Sequence, residues 1–200
     1  MELQRTSVLG SDVAIYSTWL RPAERTWGED MATTGTTDAK LIKMVRDSGH
    51  AFGPAILATS KREKLSFALA LALVEQESGF QNIFGCDKDA PFCHLPVTPD
   101  RVKALIAHVN GGGISNGVGL TQLTSIGFIQ QAEAHGGAHK VRPQCRVGFG
   151  LLHGLIERHG EEFGIGAYNG GEGKPNFDYA AKVIKLRNNW QARINRVLLG

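Results

Sequence analysis

Lys64-Leu65-Ser66-Phe67-Ala68-Leu69-Ala70-Leu71-Ala72-Leu73-Val74-Glu75-Gln76-Glu77-Ser78-Gly79-Phe80 contains the longest apolar run of this 200-residue chain, Phe67 to Val74. The Leu-Ala alternation has period two, which is the period of a strand. Ala and Leu are strong helix formers, however, and the alternating residues are not β-branched. The stretch therefore predicts a helix over 64–76. A helix that is apolar almost all round is a buried one. The run falls far short of the ~20 apolar residues that cross a bilayer.

Outward from this helix the pattern stays helical. Thr37 or Asp38 can cap a helix carrying Leu41, Ile42, Met44 and Val45, with Gly49 at its end. Further helices are expected over 100–109, 125–135, 143–159, 161–168 and 177–199, with a loop over 110–119. No sustained strand pattern and no internal repeat occur. The expected fold class is mainly α, with at most a small β-hairpin or irregular strand near Gly117 to Leu123. Met31 to Thr37 is rich in Thr and Gly and lacks periodicity. Residues 1–36 are thus read as an N-terminal extension or linker, carrying Trp19 and Trp27, and residues 37–200 as one domain.

Composition narrows the partners. The chain is 42% apolar and carries 22 basic and 19 acidic residues, a formal charge of +3. That balance excludes a disordered chain. The basic residues are scattered, and the densest segment, Lys182 to Arg196, reads as a solvated helix face rather than a nucleic-acid surface. No nucleic-acid partner and no membrane span are expected, and a monomer is. Met1 to Arg5 leads into no apolar secretory segment. Of the three cysteines, Cys86 and Cys93 are close enough in sequence to close a small loop, and Cys145 is left over. A Cys86–Cys93 disulfide and free thiols are both open readings. With His94 the pair hints at zinc, but a four-ligand pattern is absent, and no metal is assigned.

Three segments can carry chemistry. In Val74-Glu75-Gln76-Glu77-Ser78-Gly79-Phe80, Glu77 stands where the apolar helix meets a glycine turn. Burial and the negative helix end both disfavour its carboxylate, so its pKa should rise toward that of a general acid. A Glu at a helix end is also commonly just solvated. Glu75, two residues earlier, points elsewhere and is assigned to solvent or a salt bridge. In Gly117-Val118-Gly119-Leu120-Thr121-Gln122-Leu123-Thr124, glycines bracket a short apolar segment with one Gln suited to a sugar. In Ala167-Tyr168-Asn169-Gly170-Gly171, a Tyr-Asn pair ends a short helix. A loop and a helix C-cap explain the last two equally well.

The order and content of all three are more specific than any one. Glu77-Ser78-Gly79-Phe80 resembles the catalytic Glu-Ser motif of the soluble lytic transglycosylase and goose-type lysozyme superfamily. Gly119 to Leu123 resembles its Gly-Leu-Met-Gln motif, with Thr121 in place of Met. Ala167 to Gly171 resembles its Ala-Tyr-Asn-Ala-Gly motif, with Gly170 in place of Ala. Tyr179-Ala180-Ala181-Lys182-Val183 resembles the Tyr-x-x-Lys-Val stretch that follows, and the segment from Pro143 through Leu152 resembles the intervening helix. The resemblance spans about residues 38–197.

The resemblance implies a lysozyme-like helical domain that cleaves peptidoglycan between N-acetylmuramic acid and N-acetylglucosamine, without metal or organic cofactor. Glu77 would be the acid/base. Ser78, Gln122, Tyr168 and Asn169 would line the cleft, with Tyr168 holding Glu77 or the N-acetyl group and Ser78 bonding the backbone. Glu77 to Gly119 is long for the transglycosylase pattern and reads as an insertion bordering the cleft. Asp87 and Asp89 lie in it. Either is a candidate second carboxylate for goose-type hydrolysis, and equally an ordinary loop charge. The alternatives are that hydrolysis and a catalytically inactive cell-wall-binding or virion module. The setting expected is the bacterial cell wall, reached by holin release, on a virion, or as part of a larger protein.

Overall fold

The structure, a computed structural model, describes residues 35–199. Residues 1–34, with Trp19, Trp27 and the start expected to lack a secretory segment, lie outside the described residues. Eight α-helices and one short 3-10 turn form the regular structure of the described part. They are α1 Thr36–Asp47, α2 Gly53–Arg62, α3 Phe67–Ser78, α4 Pro99–Asn110, the 3-10 turn Gly119–Thr121, α5 Ile126–Ala134, α6 Val141–His159, α7 Glu161–Gly170 and α8 Phe177–Leu199. The fold is mainly α, as the sequence predicts. The β content of the described residues is three isolated antiparallel bridges, Ile83 with Pro96, Phe84 with Val118 and Val118 with Leu123. The third falls where an irregular strand was expected.

Several expected boundaries shift, and one helix was not expected. The first helix begins at Thr36 with Gly35 as its N-cap, so neither Thr37 nor Asp38 caps it. The central helix begins at Phe67, because the Ser66 hydroxyl accepts a hydrogen bond from the Leu69 amide at 3.2 Å. It continues through Glu77 to Ser78 and stops at Gly79, whose φ of 56° is left-handed. Helix α2 has no counterpart in the sequence reading. Its buried face includes Thr59 and Ser60, so its apolar stripe is too broken to show a period.

Among the described residues, two cores hold the fold. The larger surrounds α3, whose residues Ala68 to Val74 are all buried, and draws on α1, α2, α6, α7 and α8. The smaller joins Phe84, Val97, Val102, Leu105, Val118, Leu123, Ile129 and Val147. Leu120 belongs to the first core, while Val118 and Leu123 belong to the second. The short turn between them is therefore the seam of the protein. The end of α3 abuts it: the Ser78 hydroxyl lies 3.1 Å from both the Val74 and Leu120 carbonyls.

Candidate active site

Glu77 sits on the last turn of α3, half-buried, at this seam. Burial lifts its carboxyl from 4.5 to about 7. No second carboxylate contributes to the rise. The Tyr179 hydroxyl donates a short hydrogen bond to Glu77 Oε1, which favours the charged form and moderates the effect of burial. Near neutral pH the group therefore holds its proton yet can release it, the state a general acid/base needs.

Tyr179 is the neighbour of Glu77 to which the sequence assigned no role. It lies in the first turn of α8, on a segment already matched to the Tyr-x-x-Lys-Val pattern. The pattern marked the residue, but its reach to Glu77, 102 positions away, comes from the packing of α8 across α3. Tyr168 stands beside the pair, close enough for the Glu77 charge to push its hydroxyl up together with burial. It does not hold Glu77, however. Its hydroxyl donates to the Thr121 carbonyl at 2.7 Å, and the holding falls to Tyr179.

The other expected residues divide between site and scaffold. Ser78 is turned onto the backbone, as the structural reading of it expects, rather than toward a substrate. Gln122 has a left-handed φ of 48°. Both of its amide hydrogens are engaged, with Gly119 O at 2.7 Å and Ile83 O at 3.2 Å. Only Oε1 is left to accept a bond from a sugar, and it lies over Gly85 and Gly117, where a Cβ would collide with it. Asn169 is exposed, and its Oδ1 accepts from Asn176 Nδ2 at 2.8 Å, which braces the turn between α7 and α8. Asp87 Oδ2 accepts from the Gly117 amide at 2.8 Å and so ties its loop to the seam. Asp89 is exposed on the same loop with φ 66°. Neither Asp acts on the Glu77 carboxyl. Glu75 is partly exposed, and in place of the expected salt bridge its Oε2 accepts from Trp190 Nε1 at 2.6 Å.

A buried amide supports the seam from below. Gln144 on α6 is fully buried, and every polar group of its side chain is paired. Its Oε1 accepts from Leu120 N at 3.0 Å, and its Nε2 donates to Asn82 Oδ1 at 2.8 Å and Ala138 O at 2.7 Å. The Thr121 hydroxyl donates to the Gln144 carbonyl at 3.0 Å. Gly119, with φ 70°, is a glycine for a second reason: a Cβ there would enter the Gln144 side chain. Thr121 is directed inward against Gly148 of α6. A lone polar residue on an apolar helix face was the available sequence signal for Gln144.

Cys86 and Cys93 are joined in a disulfide, and Cys145 is free and buried, its thiol pushed up by that burial. The chain matches no family model, no curated protein and no solved structure.

Proposed function

We propose that this protein cleaves the glycan strands of peptidoglycan, between N-acetylmuramic acid and N-acetylglucosamine, as a lytic transglycosylase with Glu77 as acid and base. The carrying observation is the Glu77 carboxyl itself, raised to about 7 by burial and held by Tyr179. The four ordered motifs, all of which meet around α3 and the 119–121 turn, supply the substrate class through their resemblance.

In this reading protonated Glu77 gives its proton to the glycosidic oxygen, and the N-acetylglucosamine 4-hydroxyl leaves. The carboxylate then takes the proton of the muramoyl 6-hydroxyl as that oxygen closes on C1. One carboxylate serves both steps. Tyr179 fixes the carboxyl orientation through Oε1 and leaves Oε2 for proton transfer. Action at the bacterial cell wall, without a cofactor, belongs to the same proposal.

Glu77→Gln tests the proposal. The variant should keep the far-UV spectrum of the parent and lose clearing of purified walls by about 100-fold or more. Muropeptides released by the parent should be lighter by one water, the mark of an anhydro end. Parent-like clearing by Glu77→Gln would sink the acid/base assignment. Reducing ends in the products would replace transglycosylation with hydrolysis. Asp87→Asn and Asp89→Asn would then identify the residue that positions water.

A further inference from the structure

The loop of Asp87 and Asp89 carries three metal-ligating side chains that the proposed cleavage does not use. Cys86, Cys93 and His94 are exposed, and their two sulfurs and a ring nitrogen all lie within 4.8 Å of one another. His94 has a left-handed φ of 56°, a conformation His tolerates better than most residues with a Cβ. In the sequence the trio lacks a fourth ligand. In space it is a compact set of two soft donors and one imidazole on one side of a loop.

We propose that, once the disulfide is reduced, Cys86, Cys93 and His94 bind one thiophilic d10 cation such as Zn2+, with water in the fourth position. Disulfide and metal are then alternative closures of one loop. A thiol reductant supplies two electrons and two protons to the disulfide and leaves as its own disulfide. Binding of the cation then releases the two thiol protons. A tetrahedral zinc ion needs donors about 3.6–3.8 Å apart, from Zn–S bonds near 2.3 Å and a Zn–N bond near 2.0 Å. Reduction frees the two sulfurs to part from bonding distance toward that spacing, and the His94 ring nitrogen already lies within 4.8 Å of both.

Contacts besides the disulfide also hold the loop's course, and they would keep the thiols together after reduction. Phe84 N donates to Leu95 O at 2.9 Å, and His94 N to Phe84 O at 3.1 Å. Buried Asn116 accepts from Phe92 N at 3.1 Å and donates to Gly85 O at 2.8 Å. Asp87 holds the Gly117 amide at 2.8 Å. Phe92 packs on buried Phe84 with ring centroids 5.2 Å apart. The ligands are thus arranged before the metal arrives, and little ordering entropy opposes binding. An open fourth position is the arrangement of Cys2His zinc sites that keep a water.

The test uses the full chain, reduced with a phosphine under anaerobic conditions and freed of reductant. Zn2+ is titrated against a chromophoric chelator, and Co2+ serves as the optical probe. The reduced protein should take one equivalent and show thiolate-to-cobalt charge-transfer absorption, while the oxidised protein takes none. His94→Ala should weaken binding tenfold or more, and Cys86→Ser should remove the charge-transfer band. All three residues are exposed, so both variants should fold, and circular dichroism of the reduced parent checks that the scaffold persists. Binding by the reduced parent no tighter than by Cys86→Ser would overturn the proposal. So would equal binding by the oxidised protein, or loss of helical signal on reduction.

Discussion

The Glu77 carboxyl is pulled two ways, and each pull has its own experiment. Burial favours the protonated form, and the Tyr179 bond favours the charged one. Tyr179→Phe deletes only the second, so the carboxyl should rise above about 7. A general acid works while protonated, so the alkaline limb of the pH–rate profile should move to higher pH in the variant. A limb that stays put or moves down would separate Tyr179 from the titrating group. The same shift bears on stability. The folded protein holds a proton on Glu77 that the unfolded chain loses near 4.5, so stability falls as pH rises from about 4.5 to 7. Partial solvent contact limits the cost above that window to about 2 kcal/mol. Glu77→Gln removes it. The variant should therefore gain in Tm over the parent at pH 8 relative to pH 4, measured by thermal unfolding, even as activity disappears.

At the scale of elements, two contacts decide where the site residues stand. The first is the crossing of α8 over the end of α3, fastened on both sides of that helix by Tyr179 to Glu77 and Trp190 to Glu75. Around Trp190, the Arg193 guanidinium lies 4.3 Å over the ring and His50 stacks on Phe80 at 3.8 Å. Trp190→Phe keeps an aromatic ring but leaves Glu75 without its donor. A loss of about 1–2 kcal/mol in urea unfolding is expected. The second contact is Gln144 under the 119–121 turn. Gln144→Leu strands Leu120 N, Asn82 Oδ1 and Ala138 O. At about 1 kcal/mol or more for each buried unpaired group, the loss should reach about 3 kcal/mol by the same measurement. These contacts are hard to read from sequence because each joins residues far apart along the chain. Helix α2 escaped for a different reason: Thr59 and Ser60 face inward, and Ser60 satisfies its hydroxyl on Leu57 O at 3.0 Å. A buried face completed by local hydrogen bonding gives no apolar period to detect.

Across the whole molecule, α3 is the part most shielded from solvent. Amides of Ala68 to Val74 should be the slowest to exchange with deuterium and should open only with global unfolding. Faster exchange there than in α8 would place the stable centre elsewhere. Among the described residues no helix is long and apolar enough to cross a membrane. The basic segment of α8 divides: Lys182, Lys185 and Arg196 are exposed, as a solvated face requires, while Arg187 bonds Glu161 at 2.6 Å and Arg193 packs on Trp190.

The apolar run from Phe67 to Val74 called for a buried element, and its unbranched Leu and Ala residues made that element a helix rather than a buried strand. Gly79 marked where that helix stops: it runs to Ser78, two residues past the expected Gln76, and Gly79 takes the left-handed cap. Local composition suffices for both, because hydrogen bonds within a helix reach only four residues. Which hydroxyl holds Glu77, what Gln122 does with its amide, and why Asp87 serves the loop were decided only by tertiary packing. Tyr168 and Tyr179 are equivalent as letters. They differ because α7 delivers one to a backbone carbonyl, and the crossing of α8 delivers the other to the acid.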